Sequence, residues 1–343
     1  MNAKAKRRRA VPAPPRPEGP AEQVPEAGAA GAAEGRREAP AGCAFPAGGL
    51  VLLDQLPASA FRRIEIPGEV YAPCNPSIAA DGAGNLACIV RTVNYELGEE
   101  DGIWFRGDPA PNTRNWFVPI GSNLEPGAPV FVDDVDLRRG RPVCEHGIED
   151  ARLFWQGGAW WFTATGLHHG ARVRTTMVLC RLDGARRVDV MQVLHSPHGR
   201  PTEKNWMPCV RGDRLGYVYS HHVAEAYEVS PPKRTHIGYF PDLEGWSGGS
   251  QIVPFEGGLV GIVHQRRKHR NRVYYTHRAV RYGENLEPIR AGREFYFRGE
   301  QVEFCAGLAP HGDGFVMSFG VKDREAWLVS VTADQMAALL ARE

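Results

Sequence analysis

The sequence has few cysteines, and they lie far apart. Seven are spread over 343 residues, and none is closer than 14 residues to the next. This spacing excludes CxxC zinc pairs and a dense disulfide framework. Several of the cysteines lie within apolar runs, as Cys88 does between Ala87 and Ile89. We therefore expect buried, reduced thiols.

The first 40 residues lack aromatic side chains altogether. They contain 11 Ala, 7 Pro and 4 Gly, and they carry 8 Lys and Arg against 5 Glu. Such a segment cannot bury enough apolar surface to offset the entropy of ordering it. It also has no serine, unlike a mitochondrial transit peptide. We predict a disordered tail over residues 1–48 and a single folded domain over residues 49–343.

Long apolar runs and an excess of one charge are also missing. No run approaches the roughly 18 residues of a membrane span, and no signal-peptide core is present. The chain has 41 Lys and Arg against 40 Asp and Glu, and 33 and 35 of these remain without the first 40 residues. This balance does not favour nucleic-acid binding. We expect a soluble cytoplasmic protein without a nucleic-acid or membrane partner, and its oligomeric state stays open.

A repeated pattern organises the rest of the chain. Each repeat begins with polar residues, passes through a short apolar run, turns at a glycine-containing tetrad and enters an aromatic or β-branched strand. This pattern is typical of a β-hairpin, and a third apolar strand follows most of the hairpins. The repeats cover residues 75–92, 150–166, 205–221, 250–265 and 303–321.

Helical patterns are rare outside the last dozen residues, where Thr332 is a plausible N-cap. Five sheet repeats with so little helix predict an all-β, five-bladed β-propeller, in which radial stacking protects the sheet edges. Two packed sheets are the alternative, but the strands of a sandwich have no need of matching triplets.

The hairpins have a geometric consequence. The first strand of an antiparallel hairpin starts beside the end of the second strand. In a propeller the first strands line the axis, so these ends should ring one mouth of the central channel. The residues predicted at this mouth are Asn75, Arg91, Asn94, Tyr95, Glu149, Asp150, Arg152, His168, His169, Glu203, Lys204, Asn205, His221, His222, Gly249, Ser250, His264, Arg266, Glu303, Lys322 and Asp323.

Carboxylates recur among these residues. In glycosidic chemistry one protonated acid assists the leaving oxygen, and another group supports the nucleophile. A single strand-terminal carboxylate is more often paired with a neighbouring cation, but recurrence at equivalent blade positions favours a site. The candidates are Glu149, Asp150, Glu203, Glu303 and Asp323.

Cations and aromatic residues lie close to the carboxylates in the sequence. The cations could bind phosphate, a nucleotide diphosphate or a sugar acid, or could equally form ion pairs with the acids; they are Arg91, Arg152, Lys204, His221, His264 and Arg278. Adjacent histidines on a strand point to opposite faces, so we expect no metal. Trp206 follows Lys204 and Asn205, and we predict that it contacts a sugar ring.

These segments resemble glycoside hydrolase family 130, which comprises β-mannoside phosphorylases, β-mannoside hydrolases and related β-mannosyltransferases. The motifs stand in the same order over residues 65–330. They are Asn75-Pro76-Ser77-Ile78, Gly147-Ile148-Glu149-Asp150-Ala151-Arg152, Lys204-Asn205-Trp206-Met207-Pro208 and Ser318-Phe319-Gly320-Val321-Lys322-Asp323.

The resemblance implies a five-bladed propeller and inverting attack on a β-linked glycoside. It implies that Asp150 is the proton donor, acting through a substrate hydroxyl, and that Arg152 lies in a cationic subsite. Lys204 would belong to the phosphate-binding set of the phosphorylases, whereas Glu203 and Glu303 would activate water in a hydrolase. The proline of the family's Glu-Asp-Pro-Arg motif is Ala151 here, a departure from close functional identity.

We therefore expect an enzyme that transfers a glycosyl unit from a β-linked, mannoside-type glycoside to phosphate or another acceptor. The alternatives are a hydrolase, a glycosyltransferase and a glycan-binding propeller without catalysis. No cofactor is expected, although inorganic phosphate or a nucleotide sugar could be a co-substrate. The catalytic candidates are Asp150, Glu149 and Glu303, and the expected contacts to an oligosaccharide or glycoside are Asn75, Arg91, Asn94, Arg152, Lys204, Asn205, Trp206, His221, His264, Arg278 and Asp323.

Overall fold

The structure is a computed structural model that describes residues 51–55, 60–97, 103–106, 112–139, 144, 146–169, 173–229, 232–269 and 272–341. The predicted tail and Cys43 lie outside these ranges. The other six cysteines are buried free thiols, as the sequence predicts. Within the described ranges, no helix is long and apolar enough to cross a membrane.

Five sheets follow one another along the chain, antiparallel except for one pair of strands in the fourth, and each is one blade of a five-bladed β-propeller. Blade one consists of β3 (Ala72–Ala80), β4 (Leu86–Val93), β7 (Thr113–Ile120) and β8 (Val130–Phe131), and a ribbon of β5 (Tyr95–Leu97) and β6 (Ile103–Phe105) is inserted into it. Blade two consists of β9 (Ile148–Gln156), β10 (Ala159–His169), β11 (Val173–Leu182) and β12 (Val188–Leu194). Blade three consists of β13 (Met207–Arg211), β14 (Arg214–Ser220), β15 (Val223–Val229) and β16 (Pro232–Tyr239).

The last two blades also contain strands from the N-terminal side of the domain. Blade four has β17 (Ser247–Gly248), β18 (Val253–Phe255), β19 (Gly258–His269), β20 (Arg272–Tyr282) and β21 (Pro288–Tyr296), and β1 (Val51–Leu52) pairs with β21. Blade five has β22 (Glu303–His311), β23 (Gly314–Val321) and β24 (Glu325–Thr332), and β2 (Phe61–Ile64) pairs with β24. The described chain therefore closes the ring by placing its first strands against its last blades.

Helices are short. The helix α1 (Val135–Arg138) is a single turn, α2 (Ala333–Leu340) follows the last strand, and 3-10 helices cover Leu53–Gln55 and Pro241–Leu243. Thr332 caps α2 as predicted: its hydroxyl accepts a hydrogen bond from the backbone N–H of Gln335, and the Gln335 side chain bonds back to the cap.

The core is divided among the blade interfaces. Every second side chain along a strand faces the neighbouring blade. These side chains form five buried clusters, and each cluster joins two adjacent blades. Between blades one and two, for example, Phe117 packs with Leu153 and Phe162. Burying one such side chain stabilises the fold by about 1.5–3 kcal/mol. Packing between blades thus holds the inner strand ends in a fixed relation, on which the site depends.

Candidate active site

Left-handed backbone conformations recur where the innermost strands begin. Asn75, Asp150 and Asn205, in blades one, two and three, have φ angles of 42°, 50° and 63°. Asn and Asp enter this region more readily than most residues, because their short polar side chains hydrogen-bond locally. The strand register also slips next to Asn75 and next to Asp150. A bulge of this kind re-aims the side chains around it.

Arg91, near the end of β4, holds the centre of the cluster. Its side chain is only 3% exposed. Its Nε donates to Thr113 Oγ1 at 3.1 Å, and its Nη1 donates to Asp150 Oδ1 at 2.9 Å. Its Nη2 donates to Tyr95 Oη at 2.7 Å and to Glu149 Oε1. One buried guanidinium therefore fixes both carboxylates of the Glu149-Asp150 pair.

A third carboxylate joins from blade five. Asn75 Nδ2 donates to Asp150 Oδ1 at 2.9 Å and to Asp323 Oδ1 at 3.3 Å, and Tyr95 Oη donates to Asp323 Oδ2 at 3.4 Å. Asp323 lies in the turn between β23 and β24, where it and Lys322 have φ angles of 51° and 52°. This pair of positive φ angles is typical of a type I′ hairpin turn, so the turn aims Asp323 at the cluster.

Arg152 is fully buried and bonds to the backbone of the cluster at Asp150. Its Nε donates to the carbonyl of Gly249 at 2.9 Å, its Nη1 to the carbonyl of Asp150 at 2.6 Å and its Nη2 to Asn205 Oδ1 at 3.0 Å. The side chain therefore ties blade two to blades three and four. Three of its five N–H groups thus donate to protein oxygens, and one of these bonds holds the Asp150 backbone.

Glu149 and Asp150 are adjacent, yet their pKa values shift in opposite directions. Burial raises the pKa of Glu149, Arg91 partly offsets this rise, and the charge of Asp150 adds to it. The resulting pKa of Glu149 is about 7. Burial also opposes ionisation of Asp150, but Arg91, Arg152 and the hydrogen bond from Asn75 outweigh it and lower the pKa of that carboxyl. Near neutral pH the site thus pairs an ionised aspartate with a glutamate that can hold a proton, an arrangement suited to acid and base roles.

Lys204 supplies an exposed cation beside these acids. It forms no ion pair or hydrogen bond with any residue in the described ranges, and its charge favours ionisation of both Glu149 and Asp150. It borders a cavity of about 320 Å³ between blades three and four, which Asn205 and His221 also line. An unpaired lysine at the rim of a cavity can bind an anionic group.

The two histidines that were expected to contact the substrate, His221 and His264, are buried and neutral. Burial lowers the pKa of His221 to about 4, and its Nδ1 is 3.2 Å from Tyr282 Oη. Burial also lowers the pKa of His264, whose ring packs against Tyr275 and Phe304. Neither imidazole carries a positive charge at neutral pH, so both offer hydrogen bonds rather than charge to a substrate.

Glu303 begins β22 as predicted, but its carboxylate turns back onto its own chain. The side chain is fully buried and accepts backbone hydrogen bonds from Phe297 at 2.8 Å, Arg298 at 2.7 Å and Glu300 at 3.2 Å. Glu203 is committed in a similar way, because it accepts from Trp206 Nε1 at 3.1 Å and from Tyr219 Oη at 2.8 Å. Neither carboxylate joins the Arg91 cluster.

Three of the expected substrate contacts are turned away from the cluster. Trp206 is 0% exposed and packs against Tyr217 and Tyr227, so the prediction that it contacts a sugar is wrong. Arg278 lies on β20, bonds to Glu294 at 3.1 Å and covers the ring of Trp246. Asn94 is buried, and its side-chain oxygen accepts the N–H of Asn112 at 2.7 Å, which closes a loop.

The sequence missed some members of the site. Tyr95 was placed at the mouth without a role, and Thr113 was not considered. The signal for Thr113 was the third strand, because β7 runs antiparallel to β4 and therefore starts at the same mouth, with Thr113 opposite Val93. Among the described residues, no group of three or more His, Cys, Asp or Glu side chains could hold a metal ion.

No protein-family model and no curated protein matches the sequence, but solved structures resemble the fold. A β-1,2-mannobiose phosphorylase from Listeria innocua superimposes with a TM-score of 0.52 at 12% identity, over 82% of this chain and 99% of that chain. A GDP-Man-dependent mannosyltransferase from Leishmania mexicana gives 0.51 at 12% identity, over 80% and 89%.

A third solved structure concerns the GH130 family of mannoside phosphorylases and the glycoside hydrolases within it that target β-1,2 mannosidic linkages in Candida mannan. It gives a TM-score of 0.51 at 12% identity, over 77% of this chain and 85% of that chain. At such identities the likeness concerns the fold. The chain has the five-bladed β-propeller fold that is seen in the mannoside phosphorylases of glycoside hydrolase family 130.

Proposed function

We propose that this protein transfers a glycosyl unit from a β-linked, mannoside-type glycoside to phosphate or another anionic acceptor, with inversion at the anomeric carbon. The observation that carries the proposal is the arrangement of Asp150. Its Oδ1 is held by Asn75 and Arg91, and no described residue donates to its Oδ2. The carboxylate therefore has one anchored oxygen and one oxygen free for a substrate, beside the proton on Glu149.

As the substrate reacts, the proton of Glu149 passes to the free oxygen of Asp150, which donates it to a substrate hydroxyl while that hydroxyl gives its own proton to the glycosidic oxygen. That proton goes to the leaving group as the bond between it and the anomeric carbon breaks, and an acceptor oxygen bonds to the opposite face of the same carbon. One displacement of this kind inverts the configuration. Because Asp150 is ionised before substrate binds, we assign the proton to Glu149, whose pKa burial raises to about 7.

The choice of acceptor follows from which groups are free. A hydrolase needs a carboxylate that can take a proton from water, but both oxygens of Glu203 and of Glu303 already accept hydrogen bonds from the protein. Lys204 and Arg200 line the cavity between blades three and four and form no ion pair with a described residue, and the charge of Lys204 acts on both Glu149 and Asp150. An exposed cation beside a free carboxylate supports an anionic nucleophile such as phosphate more strongly than it supports water.

The experiment is a turnover assay of the full chain on a panel of β-mannosides that starts with β-1,2-mannobiose, with and without inorganic phosphate. We expect phosphate-dependent formation of a mannose 1-phosphate of inverted configuration. Free mannose formed equally well without phosphate would identify a hydrolase. Mannosyl transfer that needs GDP-mannose would identify a transferase. Binding of the sugars without turnover under all these conditions would support the non-catalytic propeller and overturn the proposal.

A further inference from the structure

A second cavity of about 470 Å³ opens where the hairpin turns of blades one and two meet. Trp155 and Trp160 line it together with charged side chains from the β3–β4 turn and the β11–β12 hairpin. Trp155 lies next to the β9–β10 turn, where Gln156 pairs with Ala159, whereas Glu149 pairs with Thr165 at the other end of the same hairpin. The cavity is therefore separated from the Asp150 cluster by the length of the blade.

The carboxylates in this cavity are all occupied. Asp81 accepts from the backbone of Ala83 and Asn85 within its own turn. Asp183 accepts from the backbone and guanidinium of Arg187, and Asp189 forms a two-point ion pair with Arg181 at 2.8 and 2.9 Å. Asp183 and Asp189 are thus each paired with another arginine, and the carboxylate of Asp81 is bonded to neutral N–H groups of its own turn.

Arg186 is the arginine of this lining that has no direct ion pair among the described residues. Its guanidinium lies 4.0 Å from the ring centroid of Phe117, and it forms no ion pair or side-chain hydrogen bond with any residue that the structure describes. Its backbone has a φ of 66°, a conformation that costs a non-glycine residue roughly 1–2 kcal/mol. The same conformation recurs at Leu124 and Leu286, in hairpin turns with the same hydrogen-bond pattern. It therefore belongs to the turn, and glycine would relieve its strain.

Trp155 offers the second recognition element. Its ring is partly buried and meets Trp160 edge to face, with centroids 5.1 Å apart. The indole Nε1 lies beside the blade-one turn, 3.2 Å from where a Cβ on Gly82 would stand. Within the described ranges, this N–H donates no hydrogen bond. The cavity therefore combines an aromatic surface, one free N–H donor and one guanidinium that forms no direct ion pair with a described residue.

We propose that this cavity binds an acidic sugar residue of a glycan, with the sugar ring against Trp155 and its carboxylate on Arg186. An aromatic ring packs against the apolar face of a pyranose, and a guanidinium pairs with a carboxylate through two parallel hydrogen bonds. The volume lies in the range of small-molecule sites. A neutral sugar would leave Arg186 unpaired, so the carboxylate determines the selectivity. This site is independent of the proposed transfer reaction.

The test compares two ligands that differ only at C6, methyl β-D-glucuronide and methyl β-D-glucoside, by ligand-observed NMR titration of the full chain. We expect the glucuronide to bind at least about tenfold more tightly, a factor that corresponds to about 1.4 kcal/mol, and to weaken as salt is added. Equal binding of the two ligands, or no binding of the glucuronide, would overturn the proposal.

Variants locate the site. Arg186→Gly should abolish the preference for the glucuronide while leaving the Tm unchanged or higher, because glycine suits the backbone conformation. Trp155→Phe keeps an aromatic ring without the N–H and should weaken both ligands. Arg214→Gln removes an exposed arginine at the start of β14 in blade three and should have no effect. Full binding by Arg186→Gly, equal loss in Arg214→Gln, or loss in Asp150→Asn would each contradict a site at this cavity.

Discussion

Arg91 and Asp150 form an ion pair of 2.9 Å in which the arginine side chain is 3% exposed and the aspartate side chain 25% exposed. The cation is thus sealed inside blade one, while the carboxylate from blade two still reaches the channel. A buried guanidinium has lost its water of hydration, and its charge is stabilised by the protein groups that pair with it. The carboxylates that pair with Arg91 are therefore held firmly in place. This asymmetry makes Asp150 the member of the pair that can meet a substrate.

Asp150→Asn tests the proposed role of this carboxylate. The asparagine keeps the size of the side chain and an oxygen for Arg91 and Asn75, so the fold should persist. Loss of the proton-transferring group should lower kcat by about 10²–10⁴-fold. Steady-state kinetics and a thermal melt check both effects, with Glu228→Gln, which alters an exposed ion pair, as the control. Wild-type turnover by Asp150→Asn would show that this carboxylate is not the catalytic group.

Glu149 makes the rate depend on pH. If its proton is used in the reaction, kcat/KM should fall as pH rises through about 7, where Glu149 loses that proton. Glu149→Gln should reduce kcat and remove this limb from the pH profile, since the amide does not titrate. A wild-type profile that is flat between pH 6 and 8, or one that keeps its limb in the variant, would assign the proton to another group.

The same pKa affects folding. Between pH 4.5, the ordinary value for a glutamate, and about 7, the folded protein holds this proton and the unfolded chain does not. The contribution of Glu149 to stability is therefore complete below pH 4.5 and is lost as pH rises through about 7. The free energy of unfolding of Glu149→Gln minus that of the wild type should rise from pH 5 to pH 8, by on the order of 3 kcal/mol at most. Denaturant titrations at both pH values measure this difference, and an unchanged difference would contradict the raised pKa.

The fold could be predicted because short stretches of sequence specify each hairpin. A glycine turn between an apolar run and a β-branched strand recurs five times, and antiparallel pairing then decides which strand ends meet. The same argument brings Asn75, Arg91, Glu149, Asp150 and Asp323 to one mouth.

The direction of individual side chains could not be predicted in this way. A slip of one residue moves a side chain to the other face of its strand, and bulges occur beside Asn75, beside Asp150 and between Cys305 and Gly307. Glu303 starts its strand as Asp150 does, yet it turns onto the Phe297–Glu300 backbone. Trp206 follows Asn205, yet it faces the core. The position of a residue in its blade follows from the sequence nearby. The direction of its side chain depends in addition on the bulge and on contacts with the neighbouring blade.

Gly320→Ala should disrupt the site through Asn75. A Cβ on Gly320 would overlap Asn75 Oδ1 and would lie 2.5 Å from its backbone nitrogen. Blade one must shift, which should cost about 1–3 kcal/mol of stability and misplace Asp150, so kcat should fall. Gly184→Ala is the matched control, because nothing lies within 4 Å of its added Cβ. Unchanged kinetics in Gly320→Ala would mean that Asn75 does not position the carboxylate.

Lys204→Gln tests the anionic acceptor. Because Lys204 is exposed and forms no described ion pair, its removal should leave the Tm unchanged. Loss of one charge-assisted contact should raise the KM for phosphate by about tenfold or more, with little change in the KM for the mannoside. Lys233→Gln, at an exposed position on β16, is the control. An equal rise in both KM values would place Lys204 at the sugar instead of the acceptor.

Glu303→Gln separates a structural role from a catalytic one. The carboxylate accepts three backbone N–H groups with two oxygens, whereas the amide has one oxygen and turns its own N–H donors toward them. At least one buried N–H then loses its partner, which should lower the free energy of unfolding by about 1–3 kcal/mol. Turnover per folded molecule should stay near that of the wild type, because this side chain does not reach the Arg91 cluster. A loss of kcat beyond about 10²-fold with an unchanged Tm would instead return Glu303 to the catalytic set.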